Sequence, residues 1–167
     1  MIEALARKRV ALGFAAGAIA IVLAQPTWST WRSGLAIALV GEAIRVWAAG
    51  HLEKSREVTR SGPYRWTSHP LYLGSIIIAL GVVVAGRSIV VAAFVLVYMA
   101  VTIGSAIAVE ERFLRDKFGT MYEDYKRGAT VARPFSLERV VRNREYRAFA
   151  GLVLGFGVLA LKIVLSI

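Results

Sequence analysis

The sequence predicts an all-α integral membrane bundle of about five transmembrane helices, and three observations carry that expectation. The chain is far more apolar than a soluble domain, with 57% hydrophobic residues and a mean hydropathy of +0.58 over 167 residues. Its apolar residues fall into five separate stretches, and its basic residues gather in alternate connections between them. Irregular backbone exposed to hydrocarbon is not tolerated, so each stretch is expected to be helical.

The first stretch, Val10 to Ala24, follows Arg7-Lys8-Arg9 and resembles a signal-peptide core. Gln25-Pro26-Thr27 is a poor small-residue cleavage site, so a retained helix is expected. The second runs from Gly34 to Ala49, the third from Leu71 to Ala85, the fourth from Ile89 to Val109 and the fifth from Phe149 to Ile163, with an extension towards Ile167. Several are shorter than the ~20 residues that cross a bilayer upright, so Trp28, Trp31, Leu52 or Pro70 must be recruited at their ends. Gly86-Arg87 is so short a connection that the third and fourth helices form an antiparallel hairpin.

Basic residues set the expected orientation. The N-terminus, the loop holding Lys54, Arg56, Arg60 and Arg65, and the segment from Glu110 to Arg147 carry 17 of the 21 lysines and arginines. The two other connections hold only Arg32 and Arg87. By the positive-inside rule this predicts a cytoplasmic N-terminus, five crossings and an external C-terminus. The net charge of +10 then faces anionic membrane lipids rather than nucleic acid, because the cations flank apolar helices and form no domain of their own. The absence of cysteine excludes a thiol nucleophile and cysteine-ligated metal, and with only His51 and His69 as imidazoles no metal site is expected.

Two polar blocks sit where helices meet water. GPYRWTSHPLYLG, from Gly62, leads into the third helix, and EERFLRDKFGTMYEDYKR, from Glu110, leaves the fourth. The hairpin returns both to one face. Gly62-Pro63 predicts a turn, Pro70 suits a first helical turn, Ser68 or His69 can cap the free amides, and those amides suit a carboxylate or phosphate. The same residues also read as loop punctuation with His69 as a simple cap. Glu110 and Glu111 are disfavoured at a helix C-terminus unless the helix continues or a cation is near. The aromatics Phe113, Phe118, Tyr122 and Tyr125, interleaved with charges, read as an interfacial amphipathic helix broken at Gly119, although spacing alone favours a solvated charge run anchored by aromatics.

These two blocks together resemble the catalytic region of the isoprenylcysteine carboxyl methyltransferase family, related in pattern to the membrane phospholipid methyltransferases. The shared pattern is roughly G-P-Y-R-x-x-R-H-P-x-Y-x-G, then E-E-x-x-L-x-x-x-F-G-x-x-Y-x-x-Y, and the likeness runs from about His51 to Arg133 within a single unit covering 1–167. The resemblance implies an enzyme that binds S-adenosylmethionine without a Rossmann domain and methylates a lipophilic small-molecule substrate in the membrane. It implies that Tyr64, His69, Pro70, Leu71 and Tyr72 line the cofactor pocket, with Val58 and Thr59 from the preceding loop and Glu110 from the second block. Glu110 suits the cofactor's ammonium, helix amides its carboxylate, and Tyr64 or Tyr72 its adenine, with His51 a weaker candidate for the adenine edge.

The chain departs from the pattern twice. Ser68 stands where the family has arginine before His-Pro, and Ala106 stands where prenylcysteine enzymes have an arginine that pairs with the substrate carboxylate. A carboxylate acceptor needs no base, whereas an amine must lose a proton to Glu110, Glu111 or His69, so Glu110 and His69 are the catalytic candidates. A phospholipid or other lipid amine is therefore the alternative acceptor. A non-enzymatic transporter subunit or lipid-binding scaffold would explain the helices, though not the convergence of His-Pro, aromatic and paired-Glu features.

Three further features stand apart. Glu42 and Arg45 share a helix face and read as a functional pair or a neutralising one. Lys162 is expected to snorkel. Gly13/Gly17 and Gly151/Gly155 have the spacing of close helix contacts.

Overall fold

The computed structural model describes residues 17–53, 59, 61–118 and 134–166, with backbone alone at 105, 108–111 and 113–118. The described residues are helical, with no strand among them. A helical segment at 17–23 is followed by α1 (Trp28–His51), a 3₁₀ turn (Gly62–Arg65), α2 (Pro70–Gly86), α3 (Ile89–Phe118), the short α4 (Leu137–Arg142) and α5 (Tyr146–Leu165). The helices α1 and α5 are long and apolar enough to cross a membrane; Pro70–Gly86 and Ile89–Gly104 are shorter apolar helices.

Each boundary has a local cause. Thr27 caps α1 through a reciprocal box in which its side chain accepts from Thr30 N–H and the Thr30 hydroxyl accepts from Thr27 N–H. The expected recruitment therefore occurs: Trp28 and Trp31 lie inside α1 and Leu52 is its C-cap. Gly62 adopts φ +59 against the His51 ring, where a Cβ would collide with the imidazole. Pro70 opens α2, but the expected side-chain cap is not made. His69 occupies the N-cap without a capping bond, and its own N–H donates to Thr67 Oγ1 at 3.3 Å. At the other end Arg87 turns the chain in the left-handed region, φ 46, directly into α3, so the hairpin forms as expected. That helix continues past Glu110 and Glu111 to Phe118, which removes the unfavourable C-terminal placement of two carboxylates. The expected break at Gly119 and the aromatic run beyond it lie outside the described residues.

The core seam joins α1 and α2. Gly34, Ala38, Gly41 and Arg45 on α1 meet Gly74, Ile78, Gly81 and Ala85 on α2 in antiparallel register, backbone against backbone. A Cβ at Gly41 would stand 2.6 Å from the Gly74 carbonyl oxygen, so neither helix has room for a larger residue there. Ala24, Ala38, Ala85, Leu152, Phe156 and Leu159 form the buried cluster that brings α5 onto this pair, and Trp31 Nε1 donates to the Phe156 carbonyl at 2.8 Å.

One expectation about this packing is narrowed and one is corrected. Among the described residues of a single chain a Cβ at Gly17, Gly151 or Gly155 meets nothing within 4 Å, so these glycines make no close helix contact there; Gly13 lies outside the described residues. Lys162 does not simply snorkel: its Nζ donates to the carbonyls of Ile21 and Val22, closing the end of the 17–23 segment.

Candidate active site

The end of the bundle that holds His51 carries the predicted residues Thr59, Tyr64, His69, Pro70, Leu71 and Tyr72. The C-terminus of α1 would leave unpaired carbonyls, and the segment before α5 satisfies them. Ser136 N–H and Arg139 Nε donate to the Gly50 carbonyl, and Asn143 Nδ2 donates to those of Ala49 and Leu52. Glu53, buried beside them, takes both Arg142 Nη2 contacts at 2.8 Å and the Arg139 guanidinium at 3.6 Å. Thr59 is buried, and its hydroxyl accepts from Glu53 N–H at 3.1 Å. His51 is enclosed by the rings of Trp47 and Phe135, with Nδ1 3.0 Å from Ser61 Oγ.

Tyr64 is buried in the 3₁₀ turn, and Pro70 is among the most completely buried side chains. The rings of His69 and Tyr72 lie 5.7 Å apart and tilted, one turn apart at the start of α2. Tyr72 and Leu73 N–H both return to the His69 carbonyl, and Pro70 has no N–H. Leu71 therefore holds the one first-turn amide that donates to no group among the described residues. Beyond the hairpin, α3 runs from Ile89 to Phe118, and Glu110 lies within its backbone. Its side chain and Val58 lie outside the described residues.

A cavity of about 430 Å³ opens beside this region, between α2, α3, α5 and the 17–23 segment. Its walls are apolar and its polar end is formed by Arg45, Ser75 and Tyr98. Arg45 Nη1 donates to Ser75 Oγ at 2.5 Å and to the Leu71 carbonyl at 3.3 Å. The same guanidinium meets Glu145 at 2.5 Å and Glu42 at 3.9 Å. Two carboxylates thus share one cation, and neither oxygen of Glu42 has a hydrogen-bond partner among the described residues. The pairing of Glu42 with Arg45 was legible as an i,i+3 spacing; Glu145, Glu53 and the arginines of α4 were missed, because partners so distant in sequence leave no periodic signal.

At the start of α2 the rings of His69 and Tyr72 thus stand beside the Leu71 amide, with Tyr64 buried in the preceding turn. Among the described residues there is no group of three or more histidine, cysteine, aspartate or glutamate residues placed to hold a metal ion.

Comparison with known proteins bears on the same region. A family model for phospholipid methyltransferases matches residues 9–121. Probable protein-S-isoprenylcysteine O-methyltransferases of Oryza sativa subsp. indica and subsp. japonica are each 33% identical over 121 residues, covering 65% of this chain and 63% of theirs. The cobalt-zinc-cadmium resistance protein CzcN of Cupriavidus metallidurans is 31% identical over 108 residues, covering 64% of this chain and 49% of its own length. The chain thus spans less than two thirds of the length of these relatives. No solved structure gives a significant match.

Proposed function

This chain belongs to the phospholipid methyltransferase family, and we propose on that premise that it transfers a methyl group from S-adenosylmethionine to a lipophilic acceptor held in the membrane. The observation that carries the reading is the hydrogen bond from Arg45, at the polar end of the apolar cavity, to the carbonyl of Leu71 in the first turn of α2. One side chain joins the place for a hydrocarbon-bearing acceptor to the place for the methyl donor.

S-adenosylmethionine, when bound, supplies a methyl already activated on a sulfonium. The protein's task is then positioning and exclusion of water, in which alignment of two reactants supplies most of the acceleration. His69, Tyr72 and Tyr64 would hold the adenine, Leu71 N–H the carboxylate and Glu110 the ammonium, with Thr59 and Pro70 shaping the wall and Val58 beside them. The basic loops would place this end of the bundle at the cytoplasm, with five crossings and an external C-terminus.

The resemblance to isoprenylcysteine carboxyl methyltransferases and the rice relatives support a carboxylate acceptor. A specific observation favours a second reading, an amine. Ala106 is buried in α3 and offers no cation to a carboxylate, whereas Glu42 and Glu145 outnumber Arg45 at the cavity's polar end. A protonated amine would supply the missing positive charge, and a carboxylate beside it would take the proton before nitrogen attacks the methyl.

The test is incubation of detergent-purified protein with isotopically labelled S-adenosylmethionine and membrane lipid extract, followed by mass spectrometry of labelled products. A labelled lipophilic product supports the reading. Absence of saturable S-adenosylhomocysteine binding in calorimetry would overturn it.

A further inference from the structure

Glycine inside a helix costs about 1 kcal/mol relative to alanine, so its presence calls for a reason. At Gly34, Gly41, Gly74 and Gly81 the reason is contact, because another backbone occupies the space a side chain would take. At Gly151 and Gly155 no such contact is made among the described residues, where a Cβ on either meets nothing within 4 Å. Both line the cavity, and so does Gly17 across from them on the 17–23 segment. Gly157 is equally open yet does not line the cavity, which separates the two circumstances on one helix.

The space these glycines leave has the form of a ligand site. Its volume of about 430 Å³ falls within the roughly 300–1,000 Å³ of small-molecule pockets. Its walls run from Ser75 to Gly86 on α2 and from Ala148 to Leu159 on α5, in each case roughly 16 Å of helix. That is about half the ~30 Å hydrocarbon thickness of a bilayer, the depth of one leaflet. At the polar end Arg45, which lines the cavity, stands 3.9 Å from Glu42, 4% exposed, whose carboxylate has no hydrogen-bond partner among the described residues. The helix α5 lies wholly beyond the stretch that the family model matches.

We propose that α5 gauges the acceptor's tail: Gly151 and Gly155 are specificity-determining residues that keep room for a single hydrocarbon chain reaching in from one leaflet. The inference rests on the methyltransferase reading of this site. A side chain at either position projects into space the tail needs, whereas one at Gly157 does not.

The test uses the full chain in nanodiscs with a long-chain alcohol bearing a diazirine at its tail, its short-chain homologue, and the variants Gly151→Leu, Gly155→Leu and Gly157→Leu. Photolabelling of the unaltered protein should map to cavity residues of α2, α5 and the 17–23 segment. Long-chain labelling should fall about tenfold in Gly151→Leu and Gly155→Leu, stay unchanged in Gly157→Leu, and fall less for the short homologue. Labelling unchanged in both cavity variants, or equally reduced in Gly157→Leu, overturns the proposal. So does a tightly held co-purifying lipid that the probe never displaces, and so does a label mapped away from the cavity, a result that needs no variant to fold. S-adenosylhomocysteine binding, measured in parallel, should be equal in all four proteins; its absence from the unaltered protein counts against the methyltransferase reading alone.

Discussion

Gly41 and Gly74 face one another across the α1–α2 seam with each carbonyl oxygen 2.6 Å from where the other's Cβ would stand. Helices can approach this closely only if neither carries a side chain at the crossing, and the seam positions both Arg45 and the first turn of α2. Substitution should therefore be felt as overpacking. Gly41→Val or Gly74→Val should lower stability by about 1–3 kcal/mol, read as an earlier thermal transition in detergent, while Gly157→Ala should leave the transition in place or raise it slightly.

The Arg45 cluster should respond asymmetrically to truncation. Arg45→Met leaves Glu42 and Glu145 without their shared cation, and breaking a buried pair in this way costs about 3–5 kcal/mol. The triple change Glu42→Gln, Arg45→Met, Glu145→Gln should recover much of that loss. Unfolding in a chaotropic detergent titration checks both; equal losses would show that the charges do not depend on one another.

Removing the charge from Glu110 while keeping its shape, as in Glu110→Gln, should weaken S-adenosylhomocysteine binding by about 1.5–3 kcal/mol if it holds the cofactor ammonium. Calorimetry reads this directly. Unchanged affinity would take Glu110 out of the site.

The proposed orientation can be read chemically, because the chain contains no cysteine of its own. Single cysteines at Thr30 and Arg87 should react with an impermeant thiol reagent outside intact cells, and ones at Arg60 and Lys126 should not. The reverse pattern would invert the bundle.

An arginine introduced at Ala106 enters a buried position. With an amine acceptor, Ala106→Arg should depress turnover through repulsion and an unpaired charge, without a matching loss of S-adenosylhomocysteine binding. Efficient carboxyl methylation of a prenylcysteine analogue by the unaltered protein would sink the amine reading.

Much of this architecture is legible in the sequence because it depends on neighbours. The helices follow from apolar runs, the α2–α3 hairpin from Gly86-Arg87, and the Glu42–Arg45 pair from its i,i+3 spacing. The proposed cofactor residues His69, Pro70, Leu71 and Tyr72 are consecutive, so their shared location needs no fold. What depends on a partner far along the chain is not legible. Glu145 and Glu53 look like solvated charges until α5 and α4 dock. A glycine's spacing does not say whether a backbone or open space stands opposite within the chain, so Gly151/Gly155 and the seam glycines look alike in the sequence. The paired seven-residue spacings Gly34/Gly41 and Gly74/Gly81 were the available clue to the true seam.

The segment of Ser136, Arg139 and Asn143 closes the end of α1 by donating to the carbonyls of Ala49, Gly50 and Leu52. These residues leave the ribosome well after α1, α2 and α3 have all been synthesised. A nascent chain that has delivered only those helices lacks the donors of Ser136, Arg139 and Asn143 for the carbonyls of Ala49, Gly50 and Leu52. Order of synthesis thus becomes order of maturation: the end of α1 is laid down early and closed late, so a chain stalled or cut short before Pro134 would present that exposed helix end to quality control.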